Sequence, residues 1–92
     1  PRADINRSVI LASIARDKGD LRTALSHLKD AVSRKTTDLS LRLQVVTTAI
    51  ELGEYGVAEE ELDALRFVFG KDERIEQAEM QLRAARDRQP TI

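Results

Sequence analysis

The chain contains no cysteine. Disulfides and thiolate chemistry are therefore excluded from its stability and its activity. The absence does not assign a redox compartment, because domains in oxidising compartments also manage without cysteine. No apolar run approaches the ~18–20 residues needed to span a bilayer, and no signal-peptide pattern is visible. An excess of one charge sign is also missing: 15 Lys and Arg stand against 16 Asp and Glu, for a net charge of −1. Such a balance gives no general pull toward nucleic acid or an anionic membrane. Aromatics are few, namely Tyr55, Phe67 and Phe69, and they are not interleaved with basic residues as a nucleic-acid face requires.

What is present is enough for one small domain. Of the 92 residues, 41% are hydrophobic. A chain this size buries roughly 60–65% of its unfolded surface, so the core is thin in area. The first residue is Pro1, not methionine. The chain reads as a piece of a longer protein, so targeting or membrane segments can lie outside it. A cytoplasmic setting is the favoured expectation, with attachment to a membrane protein left open.

Two stretches say nearly the same thing. Lys18–Val32 reads KGDLRTALSHLKDAV, and Leu52–Arg66 reads LGEYGVAEEELDALR. Gly19 and Gly53 stand 34 residues apart (53 − 19), and the same spacing relates Leu21 to Tyr55, Ala24 to Ala58 and Leu28 to Leu62. Upstream it relates Leu11 to Val45 and Ala15 to Ala49. A fixed period of this length marks a repeat whose units cannot bury their apolar faces alone.

The unit is a pair of helices. Asp4 is a candidate cap for a helix from Ile5, where Val9 to Ala15 cover a wide apolar arc. Gly19 ends it and Asp20 caps the next. Leu21, Ala24, Leu25, Leu28, Ala31 and Val32 then recur at helical spacing. Thr36-Thr37-Asp38 separates this helix from a third, which carries Leu39 to Leu52. The stretch LSLRL alternates like a strand, but the repeat register assigns it to the first helix of a pair. Gly53-Glu54 breaks the chain again. Ala58, Leu62, Leu65 and Phe69 make the stripe of a fourth helix, which ends at Gly70. A fifth runs from about Glu73 to Asp87, with Pro90 beyond it. Its stripe, Ile75, Ala78, Leu82 and Ala85, is narrow, so it is expected to dock weakly and open first.

On these residues the chain resembles the tetratricopeptide repeat (TPR) family. The first helices place Ser8, Leu11, Ala12 and Ala15, then Arg42, Val45, Val46 and Ala49, at the family's large–leucine–small–large positions. The turns Lys18-Gly19-Asp20-Leu21 and Leu52-Gly53-Glu54-Tyr55 match best. Ala24 and Ala58 stand at the small position of the second helix, followed by Leu28 and Leu62. Ala31 fits the third small position, where the second repeat has Leu65. The terminal proline is replaced by Thr36 and Gly70. The resemblance implies an all-α solenoid, with five antiparallel helices in a right-handed superhelical stack. Residues 5–38 and 39–72 form two repeats. Residues 73–88 form a capping helix or the first helix of a third repeat.

Catalytic candidates are poor. His27 is the only histidine and sits off its helix's apolar stripe, which fits a solvated side chain better than a general base. Glu59, Glu60 and Glu61 point ~100° apart on a helix and cannot converge on a metal or substrate. No glycine-rich phosphate loop is present: Gly53-Glu54-Tyr55-Gly56 lacks a following Lys-Ser or Lys-Thr. Arg83, Arg86 and Arg88 make a basic C-terminal end, which a helix dipole favours by itself. No catalytic residue, cofactor or metal ligand is therefore expected, and no nucleic-acid partner.

The resemblance implies a concave groove lined by the first helices of successive pairs. In this register it comprises Asn6, Val9, Ile10, Ser13 and Arg16, then Leu43, Gln44, Thr47 and Glu51, then Arg74, Gln77 and Gln81. The basic clamp that some family members use on a peptide carboxylate is missing: Val9, Ser13, Gln44 and Ala78 stand in its place. The expected function is a protein–protein interaction scaffold, docking a partner protein or another domain of the parent chain. The competing expectation is a helical oligomerisation or spacer segment of a larger enzyme or membrane-anchored protein, with a weak homodimer as its signature. Phe67 falls on the polar side of its helix, nine residues after Ala58, and is the candidate anchor for either contact.

Overall fold

The computed structural model describes residues 2–33 and 38–88, with side chains from residue 6 onward. Five α-helices account for nearly all of it: α1 Arg2–Asp17, α2 Leu21–Ser33, α3 Leu39–Leu52, α4 Tyr55–Phe69 and α5 Glu73–Arg88. No strand occurs among the described residues. The LSLRL stretch is helical, as the repeat register requires. Helix α1 begins at Arg2, so Asp4 lies inside it and is not the cap. Thr36, Thr37 and Pro90 lie outside the described residues.

The two internal turns have one geometry. Gly19 and Gly53 both sit at φ 79°, in the left-handed region that glycine enters without strain. The Asp20 N–H donates to the Ala15 carbonyl at 2.9 Å and the Gly19 N–H to that of Arg16 at 2.9 Å. Thirty-four residues on, the Glu54 N–H donates to the Ala49 carbonyl at 2.8 Å and the Gly53 N–H to that of Ile50 at 3.0 Å. This paired bonding closes the orphan carbonyls at a helix C-terminus. The turns differ in how they start the following helix. Asp20 accepts from the Thr23 backbone at 3.1 Å and from its hydroxyl at 2.6 Å. Those bonds, the hydroxyl's first, hold the Asp20 carboxyl below its ordinary range. Glu54 makes no such cap bond. Asp38 caps α3 through the Leu41 N–H at 3.2 Å. Asp72 accepts from the Arg74 N–H at 2.8 Å, and that bond, with the Arg74 side chain, lowers its carboxyl too.

Each helix packs on the next, and α3 also touches α5. The core centres on α3 and α4. Val45, Val46, Ala49, Ala58 and Leu65 are fully enclosed. Ala24 and Ala58, almost without exposed surface, stand where small residues let helices approach closely. Helix α5 docks through its narrow stripe on both α4 and α3. Ile75, Ala78 and Leu82 are buried, and Arg66–Glu79 (2.9 Å) and Arg86–Glu59 (2.6 Å) tie it to α4. Helix α1 packs only on α2. Its buried residues among those described are the small Ser8, Ala12 and Ala15.

Candidate functional site

Helices α1 and α3 hold equivalent places in the two halves, yet no Cα of one comes within 8 Å of the other. Helix α2 lies between them as a floor. The result is a cleft of about 620 Å³, within the usual range for ligand sites. Its floor is apolar: Ala12, Ala24 and Leu28. Its walls pair by the repeat: Val9 with Leu43, and Ser13 with Thr47. Gln44 and Ser40 complete the rim.

Arg16 closes one end. Its guanidinium donates to the Thr48 hydroxyl at 3.1 Å and forms an ion pair with Glu51. Arg16, the only charged residue lining the cleft among those described, is thus already partnered. Ser8 fixes α1 on α2 by donating to Asp30 at 2.7 Å.

The structure brings Val9, Ser13, Arg16, Leu43, Gln44 and Thr47 together in this cleft. Asn6 is exposed outside it. Ile10 is turned away, with 59% of its surface exposed. Glu51 is exposed and reaches the site only through Arg16. Arg74, Gln77 and Gln81 are exposed on α5 and line no part of the cleft. Between α3 and α5 the backbones approach directly, so the α1–α3 gap is not repeated there. Phe67 lies far from the cleft residues on the outer side of α4, 91% exposed. Helix α5 does not cover it.

Sequence reasoning missed the floor residues and Ser40 and Thr48. The repeat held no signal for either, because their equivalents Asn6 and Ile14 do not line the cleft.

Between α4 and α5, Glu59, Asp63, Arg66, Glu79 and Arg86 gather in a second cleft, where they are taken up in ion pairs. Glu59 is spent on Arg86 and Glu60 is exposed, while Glu61 is half-buried with one carboxylate oxygen unpartnered. Arg88 donates from Nε to the Ala84 carbonyl at 3.3 Å, capping its own helix. Among the described residues no group of three His, Cys, Asp or Glu side chains is placed to hold a metal ion. No described helix is long and apolar enough to cross a membrane. Compared with protein-family models, curated proteins and solved structures, the chain has no significant match in any of the three.

Proposed function

We propose that the chain is a repeat solenoid of the tetratricopeptide type and serves as a non-catalytic docking module. The cleft between α1 and α3 takes a short, extended, mostly uncharged segment of a partner protein. One observation carries this reading: residues 34 apart in sequence, Val9 with Leu43 and Ser13 with Thr47, line the same cleft beside Ala24 and Leu28 of α2. The matching turn geometry at Gly19 and Gly53 supports the repeat.

The chemistry selects the occupant. Ala12, Ala24 and Leu28 offer an apolar floor for one side chain. Ser13, Ser40, Gln44 and Thr47 offer hydrogen bonds to a peptide backbone, as extended-segment recognition uses. Arg16 is neutralised by Glu51, so a terminal carboxylate gains little there. The diverging Glu59, Glu60 and Glu61, with His27 outside the cleft, favour binding over catalysis.

The test is selection from a displayed library of short random peptides, followed by amide-shift mapping. Selected peptides should shift Val9, Ser13, Leu43, Gln44 and Thr47. They should lose binding to Ser13→Trp, which fills the cleft from an exposed position. Selected peptides that bind Ser13→Trp equally, or a selection that yields none, overturn the reading.

A further inference from the structure

Helix α1 has a second face that the cleft does not use. Steps of ~100° place Arg7, Ile10, Ile14 and Asp17 within an arc of ~80°, on the side away from Ser8, Ala12 and Ala15. The cleft residues Val9, Ser13 and Arg16 lie about a third of a turn away. The spacing of three, four and three residues is that of a coiled-coil seam. Two exposed isoleucines sit at its centre, Ile10 at 59% and Ile14 at 47%, with Leu11 beside them at 37%. Neither Arg7 nor Asp17 makes an ion pair or side-chain hydrogen bond with a described residue. Of the seam's equivalents on α3, Leu41 and Thr48 are buried, whereas Gln44 and Glu51 are exposed. Val45 and Thr48, the equivalents of Leu11 and Ile14, are 0% and 1% exposed on α3.

We propose that this seam pairs with α1 of a second copy of the chain, antiparallel, across a two-fold axis at the level of Ala12. In that register Ile10 meets Ile14 of the second copy. Arg7 meets its Asp17 at both ends, pairing two charges that have no partner among the described residues. Lys18, beside Asp17, falls at the level of the second copy's uncharged Asn6. A parallel pairing would set Arg7 against Arg7 and Asp17 against Asp17, so the charges select the orientation. The contact is isologous and closes at two copies. A single helix face buries less than the ~1,200 Å² of a stable interface, which sets a weak dimer with a dissociation constant on the order of 10–1,000 μM.

Sedimentation measurements on the chain across roughly that concentration range test the pairing. The mass should rise from monomer toward dimer and go no further. Ile14→Lys should weaken association by about tenfold or more, and so should either Arg7→Asp or Asp17→Arg alone, with unchanged melting because all three sites are exposed. The double variant Arg7→Asp/Asp17→Arg should restore association to within about threefold of the parent. A monomer at every concentration overturns the proposal, as do single reversals without effect or a double reversal that fails to restore. Ser13→Trp, which blocks the cleft, should leave the dimer unchanged, so loss of the peptide-docking reading and loss of this one are separable.

Discussion

Helices α1 and α3 end in turns of the same geometry 34 residues apart, yet they live in different surroundings. Helix α3 is enclosed by α2, α4 and α5, and its Val45, Val46 and Ala49 have no exposed surface. Helix α1 packs on α2 and touches α3 only through Arg16, and the register-equivalent Leu11 is 37% exposed. The repeat therefore fixes backbone geometry position by position, but the energetic weight of a position depends on its neighbours.

The sharpest break of this equivalence is a charge at matched sites. Val45→Asp buries an unpaired carboxylate and should cost about 4 kcal/mol or more, enough to unfold so small a domain. Leu11→Asp should cost less than about 1 kcal/mol and remain folded. Urea denaturation followed by circular dichroism reads both. Equal losses would mean that α1 is as enclosed as α3.

The second-helix alanines should behave alike, since both are buried at helix crossings. Ala24→Leu and Ala58→Leu should each cost roughly 1–3 kcal/mol by overpacking. Ala85→Leu, at a half-buried position on α5, should cost clearly less. Three equal melting shifts would contradict the assignment of Ala24 and Ala58 to the crossings.

The turn glycines should also match, because their geometry does. Gly19→Val and Gly53→Val force a β-branched residue to positive φ and should each cost about 1–3 kcal/mol. No neighbouring atom would clash with an added side chain at either site, so the loss is backbone strain. Neutral substitutions would show that the turns relax to another conformation.

The smallest effect separates the turns. Asp20 accepts hydrogen bonds in the folded state that lower its pKa. Its stabilisation is therefore full above the ordinary carboxylate value near ~3.9 and is lost as pH falls toward the lower folded value. Asp20→Asn should flatten the fall in melting temperature below about pH 4. An acid profile for Asp20→Asn that parallels the parent's would remove the cap's role.

Much of the all-helical architecture was legible because each boundary carried local chemistry. Glycine at left-handed φ ended α1, α3 and α4, and Asp20 and Asp38 capped α2 and α3. The β-branched α3 was legible only through the repeat, since its local pattern points to a strand. Asp4 has the residue type of a cap, but no local signal marks where α1 begins. The cleft was legible where helical phase sufficed, at Val9, Ser13, Leu43, Gln44 and Thr47. It was not legible at Ile10, one residue and ~100° from Val9, which turns to the outer side. Nor could Arg74, Gln77 and Gln81 be excluded from residue spacing. Their place depends on α3 meeting α5 backbone to backbone, a relation between distant helices. The reach of Arg16 to Thr48 is of the same kind. Phe67 was the opposite case, because nine helical steps alone put it on the outside.

Helix α1 packs on α2 and reaches α3 only through Arg16, and this has a kinetic consequence. Local opening free energies follow the contacts that must be broken. Amide hydrogen exchange should be fastest at α1, whose release leaves the rest of the core intact. It should be slower at α5, which is held by two helices and two ion pairs. It should be slowest at Val45, Val46 and Ala49, whose exposure requires the whole chain to unfold.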